Sequence, residues 1–251
     1  MAPSKTTLRL MDRCNTYLHI ITAVIIIQVI SPEPVAAFPP YKSTDAGTAD
    51  PYVLEMRLGL IQLERRGEET RSISPLVRAN FGLPGKLELI SEFEYYPREH
   101  EFSDGALGIK WAPVVAGSWS FGLETLALMP VRPGDHDVGV EAQFLATWRE
   151  NHGLQVHVNA GGFHDPRAAA TENGWRASML TELTGNSSFR LGIELFAKQK
   201  SGEDTDIRLG AGLIKDIGIM QLRSAIHIGV TNEAPDIIFN FWIARKFPFR
   251  R

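Results

Sequence analysis

From residue 53 to the end, the chain alternates apolar and polar side chains with a period of two, in twelve successive segments. In the segment 188–199, Phe189, Leu191, Ile193, Leu195 and Ala197 fall on one side, and Arg190, Gly192, Glu194 and Lys198 on the other. Successive side chains of a strand point to opposite faces, so each segment must meet apolar surroundings on one face and polar ones on the other. The segments are 53–63, 71–82, 86–96, 103–112, 118–129, 137–149, 153–163, 173–183, 188–199, 206–215, 219–230 and 236–247. Their lengths suit tilted membrane-spanning strands, which need about 9–11 residues within the hydrocarbon. An even count returns both ends to one side of a membrane, as bacterial single-chain barrels require. The proposed lipid face carries Leu54, Met56, Leu58 and Leu60, then Ile73, Val77, Ala79 and Phe81. It continues through Trp119, Phe121 and Leu123, Val140 and Phe144, to Phe239, Phe241 and Ile243. Nowhere on that face does Asp, Glu, Lys or Arg stand mid-strand. A cation at the bilayer midplane costs about 2–4 kcal/mol, which selects against charge there. A soluble sandwich would bury a similar face but commonly places a charge on its edge strands. The expected fold is therefore all-β: a twelve-stranded antiparallel up-and-down transmembrane barrel.

Residues 1–37 read as an export signal. Lys5, Arg9 and Arg13 form a basic start, Ile20–Ile30 an apolar core, and Val35-Ala36-Ala37 a small-residue cleavage site, placing cleavage after Ala37. The core is shorter than the roughly 20 apolar residues of a spanning helix. A retained inner-membrane anchor and a start at Met11 stay open as alternatives. The expected division is signal peptide 1–37, an N-terminal lead or lumen segment 38–52, and the barrel 53–251. Removing 1–37 takes three of 26 basic and two of 29 acidic residues, leaving 23 against 27 and a net charge of −4. Such a balance offers nothing to nucleic acid. The single cysteine, Cys14, leaves with the signal, so a processed chain has no disulfide, thiolate metal site or cysteine nucleophile.

Two kinds of connection alternate. Leu83-Pro84-Gly85, Pro113 to Gly117, Glu150-Asn151-His152, Thr184-Gly185-Asn186 and Asp216-Ile217-Gly218 are compact and rich in turn formers, as periplasmic turns are. The intervening links, such as 130–136 and 164–172, are mostly longer and more charged, as outer loops are. Phe81, Trp111, Trp119, Trp148, Phe189 and Phe247 gather near the periplasmic ends, where an interfacial girdle belongs.

The opposite register points polar residues inward. The expected lumen-lining set is Arg57, Arg78, Glu88, Glu92, Glu94, Glu124, Glu141, Arg176, Arg190, Glu194, Arg208 and Arg223. Glu55, Asp104, Glu182, Lys110, Arg149, Lys198 and Lys246 also face in. Acids concentrate in the first six segments and bases in the last six, which allows either a transverse field across the lumen or a network of paired charges that stiffens the wall. Ile90, Leu126, Leu128, Leu145, Phe163, Leu180, Phe196, Ile238 and Trp242 face inward too. A water-filled channel gives these no reason to be there. They could pack against 38–52 folded into the lumen, or line a path for an apolar solute. No histidine pair has metal-ligand spacing and no nucleotide-binding glycine loop occurs, so neither metal nor other cofactor is expected. His157 and His227 face the lumen and read as solvated wall residues. His157 and Ser178, on neighbouring segments, are the pair that a barrel hydrolase would need within hydrogen-bond reach.

The lead Pro39-Pro40-Tyr41, with Thr44-Asp45-Ala46-Gly47-Thr48-Ala49-Asp50-Pro51 and Leu54-Glu55 after it, resembles the first segment of the outer-membrane barrels grouped as the meta-pathway of phenol degradation family. Gly105-Ala106-Leu107-Gly108-Ile109-Lys110-Trp111 is similar to that family's fourth-strand pattern. The resemblance implies a Gram-negative outer-membrane barrel of a kind suspected of moving hydrophobic or aromatic compounds and without established catalytic residues. The chain departs from usual barrels in ending Phe247-Pro248-Phe249-Arg250-Arg251 rather than on an aromatic residue. The expected function is porin-like passive transport of a small solute; the partners are outer-membrane lipids, the outer-membrane assembly machinery and that solute. A barrel hydrolase and a structural or adhesive barrel are the competing readings.

Overall fold

The computed structural model describes residues 40–73, 76–96, 101–131, 137–150, 153–167, 171–184 and 189–249; the expected signal at 1–37 lies outside them. Thirteen strands follow in order: β1 (Val53–Arg66), β2 (Glu69–Ile73), β3 (Leu76–Leu83), β4 (Leu87–Tyr96), β5 (Glu101–Ala116), β6 (Trp119–Leu128) and β7 (Gly139–Arg149). Then come β8 (Leu154–Asp165), β9 (Glu172–Thr184), β10 (Phe189–Lys200), β11 (Asp206–Ile217), β12 (Met220–Gly229) and β13 (Ile237–Pro248). Strands β2 and β3 both pair with β1, so they are two parts of one stave, and the barrel has twelve staves. Each stave pairs antiparallel with its sequence neighbour, and β1 with β13 closes the ring from Val53↔Pro248 to Arg65↔Ile237. Closure pairs every stave on both sides, as sheet in lipid requires; only the short β2 has a single ladder partner, β1, among the described residues.

The alternation sorts side chains as the sequence predicts. Outward, Leu123 is 51% and Ile193 63% exposed, while inward Leu145 and Leu180 are fully buried. Ile73 and Asp104, expected outward and inward respectively, have side chains outside the described set. Three bulges interrupt the ladders, at Gly59/Ile61, at Glu92/Glu94 and at Trp111/Val114. The last corrects the expected turn at Pro113 to Gly117. Pro113 has no N–H to give a ladder and sits in the bulge, where none is required; β5 runs on to Ala116. The hairpin turns instead at Gly117-Ser118, with Gly117 at φ +61°.

Candidate functional site

The lumen is occupied by the chain's own N-terminal segment. Residues 40–49, which precede β1, lie inside the barrel, and Tyr41, Ser43, Thr44, Asp45, Ala46 and Ala49 are buried. This strap has almost no regular structure of its own, so its backbone groups need partners on the wall. Asn159 on β8 supplies two, accepting from the Thr44 N–H at 2.6 Å and donating to the Thr44 carbonyl at 2.8 Å. The Glu194 carboxylate on β10 accepts from the Lys42 N–H at 3.0 Å, the Ser43 N–H at 2.5 Å and the Ser43 hydroxyl at 2.6 Å. Glu88 on β4 accepts from the Ala49 N–H, Thr147 on β7 from the Ala46 N–H, and Asn240 on β13 donates to the Pro40 carbonyl. Anchors thus come from around the ring. Charge-assisted bonds of this kind each stabilise by about 1.5–3 kcal/mol.

Packing and charge add to the backbone anchors. The Tyr41 ring packs with Leu180, Ile214 and Ala225 over a flat patch made by Gly192 and Gly212. A Cβ on Gly192 would come within 2.4 Å of the Tyr41 hydroxyl, and one on Gly212 within 2.8 Å of its ring. The Asp45 carboxylate meets Lys110 at 3.3 Å and Arg149 at 3.6 Å, and Lys110 also donates to the Thr44 hydroxyl at 3.0 Å. Burial raises the Asp45 carboxyl pKa, but Lys110, His157 and Arg149 outweigh it and hold it below its ordinary range.

The remaining inward charges are mostly joined to near neighbours. Glu55 accepts from Arg57 at 2.8 Å and from Arg223 at 3.0 Å. Arg78 bridges Glu92 at 2.7 Å and Glu124 at 3.4 Å, and Gln143 donates to Glu124. Arg176 meets Glu141 at 2.6 Å, Arg208 meets Asp206, and Arg190 lies 3.6 Å from Glu182. Glu94, at the outer end of β4, is half-buried and stands opposite Ser103 in register. Of the two arrangements expected, a transverse field and a paired network, the described charges form the contacts of a paired network.

Both inward histidines correct the solvated reading. His157 is fully buried between Thr147 (2.9 Å) and Glu182 (3.0 Å); His227 is buried with its Nε2 2.7 Å from Glu194. Because a carboxylate only accepts, Nε2 carries the proton in each pair. His227 thereby steadies the carboxylate that grips the strap. Ser178, the other half of the hydrolase pair, is bonded to Asn159 at 3.4 Å and stands one rung away from His157, whose register partner is Leu180. Four of the inward apolar residues fall into two clusters. Leu180 meets the strap, whereas Ile90, Leu126 and Leu128 pack on one another and Ala106. Asn159, Thr147 and Asn240 were not among the expected residues. Their signal was their inward register alone, since uncharged polar residues on a lumen wall do not stand out by type.

No family model matches this chain, and no curated protein sequence matches it. Solved structures do. An outer membrane channel from Pseudomonas putida F1 superposes with a TM-score of 0.60 at 11% identity, covering 87% of this chain and all of that one. The KdgM porin gives 0.56 at 9% identity over 79% of this chain and 99% of its own; the NanC porin gives 0.56 at 10% over 78% and 100%. Shared architecture at such low identity is a statement about fold: this chain is an outer-membrane type of β-barrel.

Proposed function

We propose that the protein is an outer-membrane channel carrying small solutes passively, with residues 40–49 as a resident plug that restricts the path. The reading is supported above all by the polar, charge-paired inner wall of a closed twelve-stave barrel whose outer face is apolar. Twelve staves enclose more than the side-chain-filled interior of an eight-stranded barrel and less than a sixteen-stranded porin. The plug narrows that space further, so the solutes are small. The half-buried ring of Phe163 on the inner wall favours hydrophobic or aromatic solutes among them. Lipids, the assembly machinery and the solute itself are the partners this reading requires.

Planar-bilayer recordings test it. The wild-type protein conducts in small, low-amplitude steps, and a variant lacking residues 40–50 conducts in larger ones. Absence of conductance from both, with the barrel folded by its heat-modifiable mobility on a gel, would overturn the channel reading in favour of a sealed structural barrel.

A further inference from the structure

The strap is an internal peptide, and the wall reads it largely by its main chain. Asn240 addresses the Pro40 carbonyl, Glu194 the N–H groups of Lys42 and Ser43, and Asn159 both backbone groups of Thr44; Thr147 takes the Ala46 N–H and Glu88 the Ala49 N–H. Every peptide carries such groups whatever its side chains, and main-chain bonds supply affinity where side-chain pockets supply choice. Two places choose. The floor of Gly192 and Gly212 takes a ring at the Tyr41 position, and Lys110 with Arg149 takes an acid at the Asp45 position. One wall group shows that the strap is not the occupant the lumen fits best. Asn159 grips a single residue twice, its Oδ1 accepting that residue's N–H and its Nδ2 donating to the same residue's carbonyl. Asn240 presents the same amide to residue 40, and its Nδ2 donates to the carbonyl there at 3.0 Å. Residue 40 is proline and has no N–H to return. Among the described residues nothing donates to Asn240 Oδ1, although Asn240 is only 4% exposed. A buried acceptor without a donor is costly, and any other residue type at this place would satisfy it.

We propose that the lumen binds short extended peptides, which displace the strap, and that Pro40 keeps the strap the weaker competitor. The last wall anchor described here holds Ala49 and the ladder of β1 begins at Val53, so the strap leaves without opening the ring. The proposal rests on the channel reading for its biological sense, the strap holding the path until a peptide solute takes its place, but the binding itself can be measured without transport.

Fluorescence anisotropy with two acetylated, dye-labelled peptides is the test: one has the sequence of residues 40–50, the other has alanine in the place of Pro40. Tethering gives the strap an effective concentration of about millimolar. The wild-type protein is therefore tested beside Asp45→Asn, which removes the strap's ion pairs and leaves the wall intact. Both peptides are expected to bind saturably, more tightly to Asp45→Asn, and the alanine peptide about tenfold more tightly than the proline one, the worth of one buried hydrogen bond. Asn240→Ala erases that difference. Methylating the alanine peptide at the nitrogens equivalent to those of Ser43 and Ala46 weakens its binding at least about tenfold. No saturable binding of either peptide to either protein, with the barrels folded by gel mobility, would overturn the site. Equal affinity of the two peptides where Asn240 is intact would overturn the role given to Pro40, and undiminished binding of the methylated peptide would overturn the main-chain reading. Peptide binding in a protein that never conducts would sink the channel reading and spare the site; conductance without peptide binding would do the reverse.

Discussion

At the scale of single residues, the strap is held by a few side chains whose jobs differ. Asn159 makes a two-point grip on the Thr44 peptide, so Asn159→Ala should loosen the strap at the cost to the wall of one weak bond from Ser178. We expect a loss of about 1–3 kcal/mol of seating. A cysteine replacing buried Ala46 would report it through faster maleimide labelling, and Cys14 is the chain's only native cysteine. Gly192→Val acts by volume instead, driving a side chain into the Tyr41 ring, and should expose the same probe without touching any anchor. Asp45 gives the strap a pH response. Its carboxyl pKa is lower when seated than when free, so its contribution is complete above the ordinary value of about 3.9 and lost as pH falls through the lowered one. Single-channel conductance should therefore stay flat from about pH 8 to pH 5 and rise below about pH 4, as the strap loosens. Asp45→Asn should shrink that rise. Identities at this scale were only partly readable from sequence. Glu88, Glu194 and the two histidines announced themselves by type on the inward register, but which of them grips the strap depends on where an irregular segment crosses the lumen.

At the scale of elements, the dyad rhythm was sufficient to place the staves to within a few residues, because one slip of register would turn every apolar side chain into water. It fails where the ladder itself is irregular. Pro113 reads as a turn former, and proline in a bulge obeys the same chemistry without ending the strand. The segment 71–82 likewise reads as one strand and is found as β2 and β3 on a shared partner. The outward face carries its own prediction. Leu123→Arg, placing a cation at mid-height on β6, should destabilise the folded barrel by about 2–4 kcal/mol in urea titrations of vesicle-embedded protein. The same change at Ile219, in the turn beyond β11, should cost little.

At the scale of the whole molecule, closure is the property on which both faces depend. Leu58 and Ile243 stand opposite each other across the seam between the first and last staves. Opposed residues in antiparallel pairs have Cα atoms about 4.5–5.5 Å apart, within disulfide range. Leu58→Cys with Ile243→Cys should therefore cross-link on mild oxidation and slow migration changes on heating; an open sheet would leave both thiols free. The even strand count, the apolar belt and the alternation of short and long connections made this architecture legible in advance. A filled lumen was legible only as a question, posed by inward Leu180 and Ile90, since residues that have no reason to face water can be covered by a strap or by each other, and here both occur.

The strap's partners also impose an order of events. Pro40 meets Asn240 across 200 positions of chain, and Lys42 meets Glu194 across 152. Contacts so distant along the chain form late, because the intervening polymer must be organised first. The stretch synthesised before any stave is therefore among the last to settle, and it waits on the final stave to receive Pro40. A molecule caught between sealing its ring and seating this segment would hold a wider bore than the finished one.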